Sequence, residues 1–314
     1  MPSAPGSPRS SVCVRVPATS ANLGPGFDAF GLCLQLYDEV ELAVTAGGLA
    51  VDVTGEGADS LPRGEGHLVL RSARAALEVL GGQPAGLALS CRNAIPQSRG
   101  LGSSSAAIVA GVLAARALVP DGALRLDDDA VLALAAELEG HPDNVAACLR
   151  GGVTLAWRDA DGVHATTRRP HAGLVPVLFV PAERSSTQEV RGLLPAVVPH
   201  VDAAANAGRA ALLVLALLDE PALLLTATQD RLHQGYRAGA MPRTTALVAE
   251  LRGRGIPAVV SGAGPTVLAL THGDQTSTAM QAASPGWTVS TVPVDPRGAV
   301  VLVPGERMAA GSPE

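Results

Sequence analysis

The chain contains no lysine; all 23 of its basic residues are arginines. A phosphate-binding loop that relies on a lysine is therefore excluded, and anions must be met by guanidinium forks, helix N-termini or backbone amides. Cysteine is scarce too. Cys13, Cys33, Cys91 and Cys148 stand far apart, with neither the CxxC spacing of zinc sites nor the density of a secreted disulfide scaffold, and they read as reduced core residues. Apolar runs are broken by charge or glycine, which argues against a membrane span. No repeat of about 20 to 50 residues marks a solenoid. The Pro-, Ser- and Gly-rich start lacks the apolar stretch of a signal peptide, so residues 1–11 are expected to form a disordered tail, 306–314 a second tail, and the protein to be cytoplasmic.

What is present is the composition of a globular protein. With 47% hydrophobic and 17% charged residues over 314 positions, the chain can bury a core too large for disorder and long enough for two domains. A net charge of −6 argues against nucleic acid as a partner and for a small substrate.

Alternation at Val12, Val14 and Val16 predicts a first strand leading into a loop over 18–27. Further strands are expected over 32–44, 49–53 and 87–91, with a helix over 67–80 stopped by Gly81 and Gly82. A buried helix is predicted over 103–118, and another over 130–139 behind the acidic Asp127, Asp128 and Asp129, closed by Gly140. Pro142 suits the first turn of a short helix. A hairpin over 153–157 and 163–167 ends the first half, so the domains are expected at 12–168 and 169–305. The second half reads as a strand over 175–180, three or four helices over 187–254, and strands over 258–261, 266–270, 287–294 and 299–303.

The stretch Pro96-Gln97-Ser98-Arg99-Gly100-Leu101-Gly102-Ser103-Ser104-Ser105-Ala106-Ala107 sets two glycines and three serines at the mouth of a helix. Glycine lets the backbone approach a ligand, the helix start offers unpaired N–H groups, and serine hydroxyls add phosphate or Mg²⁺ contacts, so this is an anion cradle. An N-capped helix after a flexible turn would have the same composition. A dinucleotide fingerprint needs a third glycine and a later acidic residue, and a nucleophile elbow needs G-x-S-x-G; neither is there.

Three separated segments resemble the motifs of the GHMP kinases in order and spacing: Pro17-Ala18-Thr19-Ser20-Ala21-Asn22-Leu23-Gly24-Pro25-Gly26-Phe27-Asp28, the serine loop, and Ser261-Gly262-Ala263-Gly264-Pro265-Thr266. Within that superfamily, Glu137-Leu138-Glu139-Gly140-His141-Pro142-Asp143-Asn144 and His233-Gln234-Gly235-Tyr236-Arg237 resemble the homoserine kinase family. The likeness runs from about Val12 to Val303. It implies an α+β, two-domain GHMP kinase fold: an N-terminal domain like domain 2 of ribosomal protein S5, with a left-handed βαβ crossover, and a ferredoxin-like C-terminal domain.

The resemblance also implies ATP and Mg²⁺ as cofactors, L-homoserine as substrate and a homodimer. It assigns ATP to Pro96, Ser98, Arg99, Gly100, Leu101, Gly102, Ser103, Ser104, Ser105 and Ala106. Arg191 and Arg237 would hold the substrate carboxylate, with Thr187 opening the T-x-x-x-R motif; Asn22, Asp28, His141, Asp143 and Gly264 would line the rest, Asp28 facing the ammonium. Mg²⁺ would fall to Glu137 with Ser103 or Ser104, with Glu139 the competing carboxylate. Asn144 would position the reacting hydroxyl, and Asp143 is the alternative as a general base. A kinase for another small alcohol, or a non-catalytic ATP-binding sensor, would share much of this pattern.

Overall fold

The computed structural model describes residues 10–185, 187–282 and 285–302, with the side chains of 187 and 188 outside the description. The expected tails fall almost wholly outside those residues. In chain order the first half forms β1 (Ser11–Ala21), β2 (Phe30–Thr45), β3 (Gly48–Gly55), α1 (Leu68–Val79), β4 (Gly86–Asn93), α2 (Ser103–Leu118), α3 (Gly122–Arg125), α4 (Asp128–Glu139), α5 (Asp143–Arg150), β5 (Val153–Asp159) and β6 (Gly162–Arg168). The second half forms β7 (Leu174–Pro181), α6 (Thr187–Arg191), α7 (His200–Leu218), α8 (Leu224–Ala227), α9 (Gln234–Arg237), α10 (Pro242–Gly253), β8 (Ala258–Val260), β9 (Val267–His272), α11 (Gln275–Met280), β10 (Trp287–Thr291) and β11 (Val300–Leu302).

Val12, Val14 and Val16 bury one face of β1 as their alternation predicts. The strand does not stop at Pro17. A register shift between Pro17 and Ala18 absorbs the missing N–H, and pairing with β2 resumes as far as Ala21. The predicted loop therefore begins only at Asn22. The α2 helix is buried on most sides, and Gly111 is what lets α1 lie against it: a Cβ there would come within 2.3 Å of the Val69 carbonyl oxygen. Asp127 caps α4 by accepting from the Ala130 N–H at 2.9 Å, and Gly140 closes it in the left-handed conformation.

The first sheet has seven strands in the order β11-β1-β2-β4-β3, with β5 pairing β2 and β6 beyond it. Strands β3 and β4 are parallel neighbours joined through α1. The second sheet runs β10-β7-β9-β8, antiparallel throughout; this is the ferredoxin-like order. The expected division at 168/169 matches the end of β6, but the last strand crosses back. Strand β11 pairs with β1 from Cys13↔Leu302 to Arg15↔Val300, covering an edge that would otherwise be open.

Five α-helices fill the described part of 187–254 where three or four were predicted. Three of them, α6, α8 and α9, have five residues or fewer, too short to carry a helical period. The four-residue α3 and the six-residue α11 are likewise too short. The 19-residue α7 is apolar and long enough to cross a membrane by length and composition alone; its Leu213, Ala216 and Leu217 join the main hydrophobic core.

Candidate active site

A cavity of about 650 Å³ opens where the two sheets' loops meet. The serine loop runs along it into α2. Gly100 (φ +72°) and Gly102 (φ +69°) are both left-handed, and neither could carry a side chain: a Cβ would stand 2.2 Å from the Ser261 carbonyl oxygen and 1.9 Å from Thr19 Oγ1, respectively. Gly102 is also the N-cap of α2 and supplies no side-chain hydrogen bond, so the first N–H groups of the helix are left for a ligand. Gly102→Ala is expected to cost roughly 1–3 kcal/mol of stability, measurable as a lower urea midpoint with an unchanged slope.

Opposite the loop stands the acidic end of α4. Glu139 accepts from Ser104 Oγ and Ser105 Oγ, both at 2.7 Å. The resemblance gives the metal role to Glu137 with Glu139 as the competing carboxylate; Glu137 is exposed and outside the cavity lining, whereas Glu139 is in it. Two residues along a helix turn a side chain through about 200°, so only one of the pair can face the loop. Among the described residues no three His, Cys, Asp or Glu cluster as metal ligands. A cation here would be held by Glu139, a serine hydroxyl and phosphate oxygens, a donor set that suits Mg²⁺.

The turn into α5 supplies the next wall. Asp143 is buried, and its Oδ1 accepts the Asn144 N–H at 2.8 Å and meets His141 Nδ1 at 2.6 Å. Burial alone would pull the His141 pKa down, but the hydrogen bond and charge of Asp143, with help from Glu139, leave it raised. Thr19 Oγ1 donates to Asn144 Oδ1 at 2.8 Å, which fixes the amide and leaves its NH₂ as the free end.

The loop after β1 is strained and then pinned. Asn22, Leu23 and Asp28 all have positive φ, each a cost of roughly 1–3 kcal/mol. The compensation comes largely from the second half of the chain. Asn22 Nδ2 donates to the Gly262 carbonyl, Asn206 Nδ2 to that of Pro25 and His233 Nε2 to that of Gly24, while Asn22 Oδ1 accepts the Asp28 N–H.

Both arginines expected to bind a carboxylate reach this region, in different states. Arg191 forms a bidentate pair with Asp28, at 3.1 and 2.5 Å, so two groups expected to hold opposite ends of a ligand hold each other. Arg237 is 2% exposed and has no carboxylate partner among the described residues. Its Nη1 meets His233 Nδ1 at 3.2 Å, its Nε has no hydrogen-bond partner among the described residues, and its guanidinium stands 5.4 Å from the Phe27 ring. Burial, then the charge of Arg191, lowers its pKa. Burial likewise keeps His233 neutral, which lets it accept from Arg237 while donating to Gly24.

Of the other expected residues, Ser98, Arg99, Ser103, Ser104, His141, Asp143 and Asn22 line the cavity. Arg99 spends its guanidinium on the carbonyls of Pro181, Gln97 and Ala182, so it ties the loop to β7 and is not free for phosphate. Pro96, Leu101, Ser105, Ala106 and Gly264 support the loop from outside the lining. Gly264 turns with φ +84° where a Cβ would press on Met241 Sδ. The backbone of Thr187 opens α6, and its side chain lies outside the described residues. Sequence reasoning missed Thr19, His233 and Asp38. The first two sit inside quoted motifs and could have been found there. Asp38, buried in β2, accepts from the Ala94 and Ile95 N–H groups at 2.7 and 2.9 Å and so shapes the chain entering the loop; burial pushes its pKa up to about 6.

A glycine-rich loop opening onto an uncapped helix, with Glu139 beside it and the buried guanidinium of Arg237 lining the same cavity, is the kind of arrangement phosphoryl transfer uses. The chain belongs to the GHMP kinases: the family models for the GHMP kinases N terminal domain and the GHMP kinases C terminal domain match residues 67–152 and 210–284. Membership in that kinase family carries the use of ATP. Within it the chain stands beside the homoserine kinases. It is 59% identical to the homoserine kinase of Streptomyces coelicolor over 93% of this chain and 95% of that one, and 52% identical to that of Rhodococcus opacus over 83% and 87%. The crystal structure of homoserine kinase from Cytophaga hutchinsonii superposes with a TM-score of 0.81 at 28% identity, covering 94% of this chain and 98% of the other.

Proposed function

We propose that the protein transfers the γ-phosphate of ATP to the side-chain hydroxyl of L-homoserine, giving ADP and O-phospho-L-homoserine, a step toward threonine. The observation that carries this reading is Arg237, a buried guanidinium without a carboxylate, beside the Asp28–Arg191 pair and in the same cavity as the phosphate loop. An unpaired buried cation is costly. A ligand carboxylate between Arg237 and Arg191 removes that cost and releases Asp28 to take an ammonium group, so an amino acid replaces one internal ion pair with two. A neutral sugar would satisfy neither charge.

The hydroxyl of the substrate then meets the NH₂ of Asn144, whose side-chain amide Thr19 orients while Asp143 accepts the Asn144 backbone N–H. Phosphoryl transfer asks chiefly for alignment and charge stabilisation, and the amides at the start of α2 supply both. Asp143 already gives one oxygen to Asn144 and His141, which favours a positioning role over that of a base. Mg²⁺, held by Glu139 with Ser103 or Ser104, would neutralise the phosphate charge. The reading includes a cytoplasmic homodimer with neither nucleic acid nor membrane as partner; a net charge of −6 argues against nucleic acid, and the exposed Val201, Val214 and Leu215 of α7 offer an apolar face to a second copy.

Release of ADP from Mg²⁺-ATP, measured in parallel with L-homoserine, D-homoserine, L-serine, mevalonate, shikimate and galactose, tests the proposal. Turnover is expected with L-homoserine above all others. Preference for another alcohol would keep the kinase and discard the substrate, and ATP binding without any turnover would indicate a sensor.

A further inference from the structure

Aromatic residues make up only 2% of the chain, and two of its three phenylalanines, Phe30 and Phe179, are buried core residues. Phe27 is different. It is half-buried in the loop after β1 and belongs to none of the hydrophobic clusters of the described residues. Its recorded ring contacts are charged or aromatic instead. The guanidinium carbons of Arg237 and Arg191 stand 5.4 and 5.6 Å from the ring centroid, and the His233 ring lies tilted at 5.2 Å.

The backbone on either side of the ring is pinned. His233 and Asn206 donate to the carbonyls of Gly24 and Pro25, the Asp28 N–H goes to Asn22, and the N–H groups of Ala29 and Phe30 return to the Gly26 carbonyl. The two arginines that meet there repel each other: the charge of Arg191 adds to burial in lowering the pKa of Arg237. Asp28 pairs with Arg191, and Arg237 has no carboxylate partner among the described residues. The face of an aromatic ring attracts a cation within about 6 Å of its centroid, and both guanidiniums fall inside that range of one ring. An aliphatic side chain of the same volume offers no such attraction.

We propose that Phe27 is a positioning residue for substrate: its ring holds the guanidiniums of Arg191 and Arg237 beside each other in the empty site, ready for one carboxylate to bridge. Both arginines line the cavity and Phe27 does not, so the ring acts through them. The proposal rests on the reading that these arginines take the carboxylate of L-homoserine. A clamp assembled before binding spares the substrate the cost of gathering two like charges, which raises affinity without a new contact.

The test replaces Phe27 with mono-, di- and trifluorinated phenylalanine, which weaken the electrostatic attraction of the ring at nearly constant size, alongside Phe27→Leu and Phe27→Tyr. KM for L-homoserine is expected to rise with each fluorine, reaching about tenfold in the trifluorinated protein and in Phe27→Leu, while KM for Mg²⁺-ATP stays in place and Phe27→Tyr remains near wild type. Urea midpoints of the series without substrate should fall in step, and less steeply in an Arg237→Met background, where one of the two cations is gone. A KM for L-homoserine that is flat across the fluorinated series, or an equal fall in stability with and without Arg237, would overturn the proposal. Failure of wild type to turn over L-homoserine would discard the substrate reading, and the unfolding series would still decide whether the ring holds the arginines.

Discussion

Arg237→Met is expected to lower kcat/KM for L-homoserine by roughly 10²- to 10³-fold while making the protein more stable. The activity loss follows from deleting one side of a buried, desolvated contact with the substrate carboxylate, a class of change that costs about 2–5 kcal/mol. The stability gain follows from the same burial. In the free protein Arg237 is a nearly inaccessible cation which, among the described residues, has an unpartnered Nε and the neutral His233 at its Nη1. Methionine fills much of the volume without a charge, and such replacements are often neutral or stabilising by about 1–4 kcal/mol. His233 loses one donor in the exchange, which trims the gain by about 1 kcal/mol. Steady-state kinetics with homoserine as the varied substrate, set against a urea titration, checks both halves. A variant that loses stability in step with activity would make Arg237 a packing residue.

The contrast with Arg191 shows how far a sequence can specify such a site. Both arginines stand in recognisable motifs, and both arrive at the cavity. Their states could not be foreseen, because the state depends on a partner about 160 residues away: Asp28 reaches Arg191 only once the loop after β1 has been folded back by Asn206, His233 and Gly262. Local signals succeeded where the physics is local. The glycines of the serine loop, the acidic start of α4 at Asp127, the Gly140 stop and the period of α1 are legible because each depends on residues within a turn or two. Strand β1 is longer than the alternation before Pro17 implies, because proline usually ends a strand and the bulge that carries it past Pro17 is a pairing property of β2. The return of β11 to the first sheet was invisible for the same reason. Asp38 carries no signal at all in the sequence, since its role lies in the two amides 56 and 57 residues ahead of it.

Glu139 is expected to be the carboxylate on which turnover depends, and Glu137 to be dispensable. The two differ only in where a helix of 3.6 residues per turn points them, yet the predicted outcomes are far apart. Glu139→Ala leaves Ser104 and Ser105 without their acceptor and removes the charge facing the phosphate loop, and should cut kcat by roughly 10²- to 10³-fold, the scale of losing one preorganised electrostatic contact. Glu137→Ala changes an exposed side chain and should stay within about 0.5 kcal/mol of wild type in stability, with unaltered kinetics. Glu139→Gln separates the two services of the side chain. An amide oxygen can still accept from a serine, so the loop brace persists in part, but the charge is gone. If Glu139 holds Mg²⁺, the Gln variant needs a higher Mg²⁺ concentration for half-maximal rate and its kcat remains low. If Glu139 is only a brace for the serines, the Gln variant recovers most of the rate at ordinary Mg²⁺, and the metal must be held by the serines and phosphates alone.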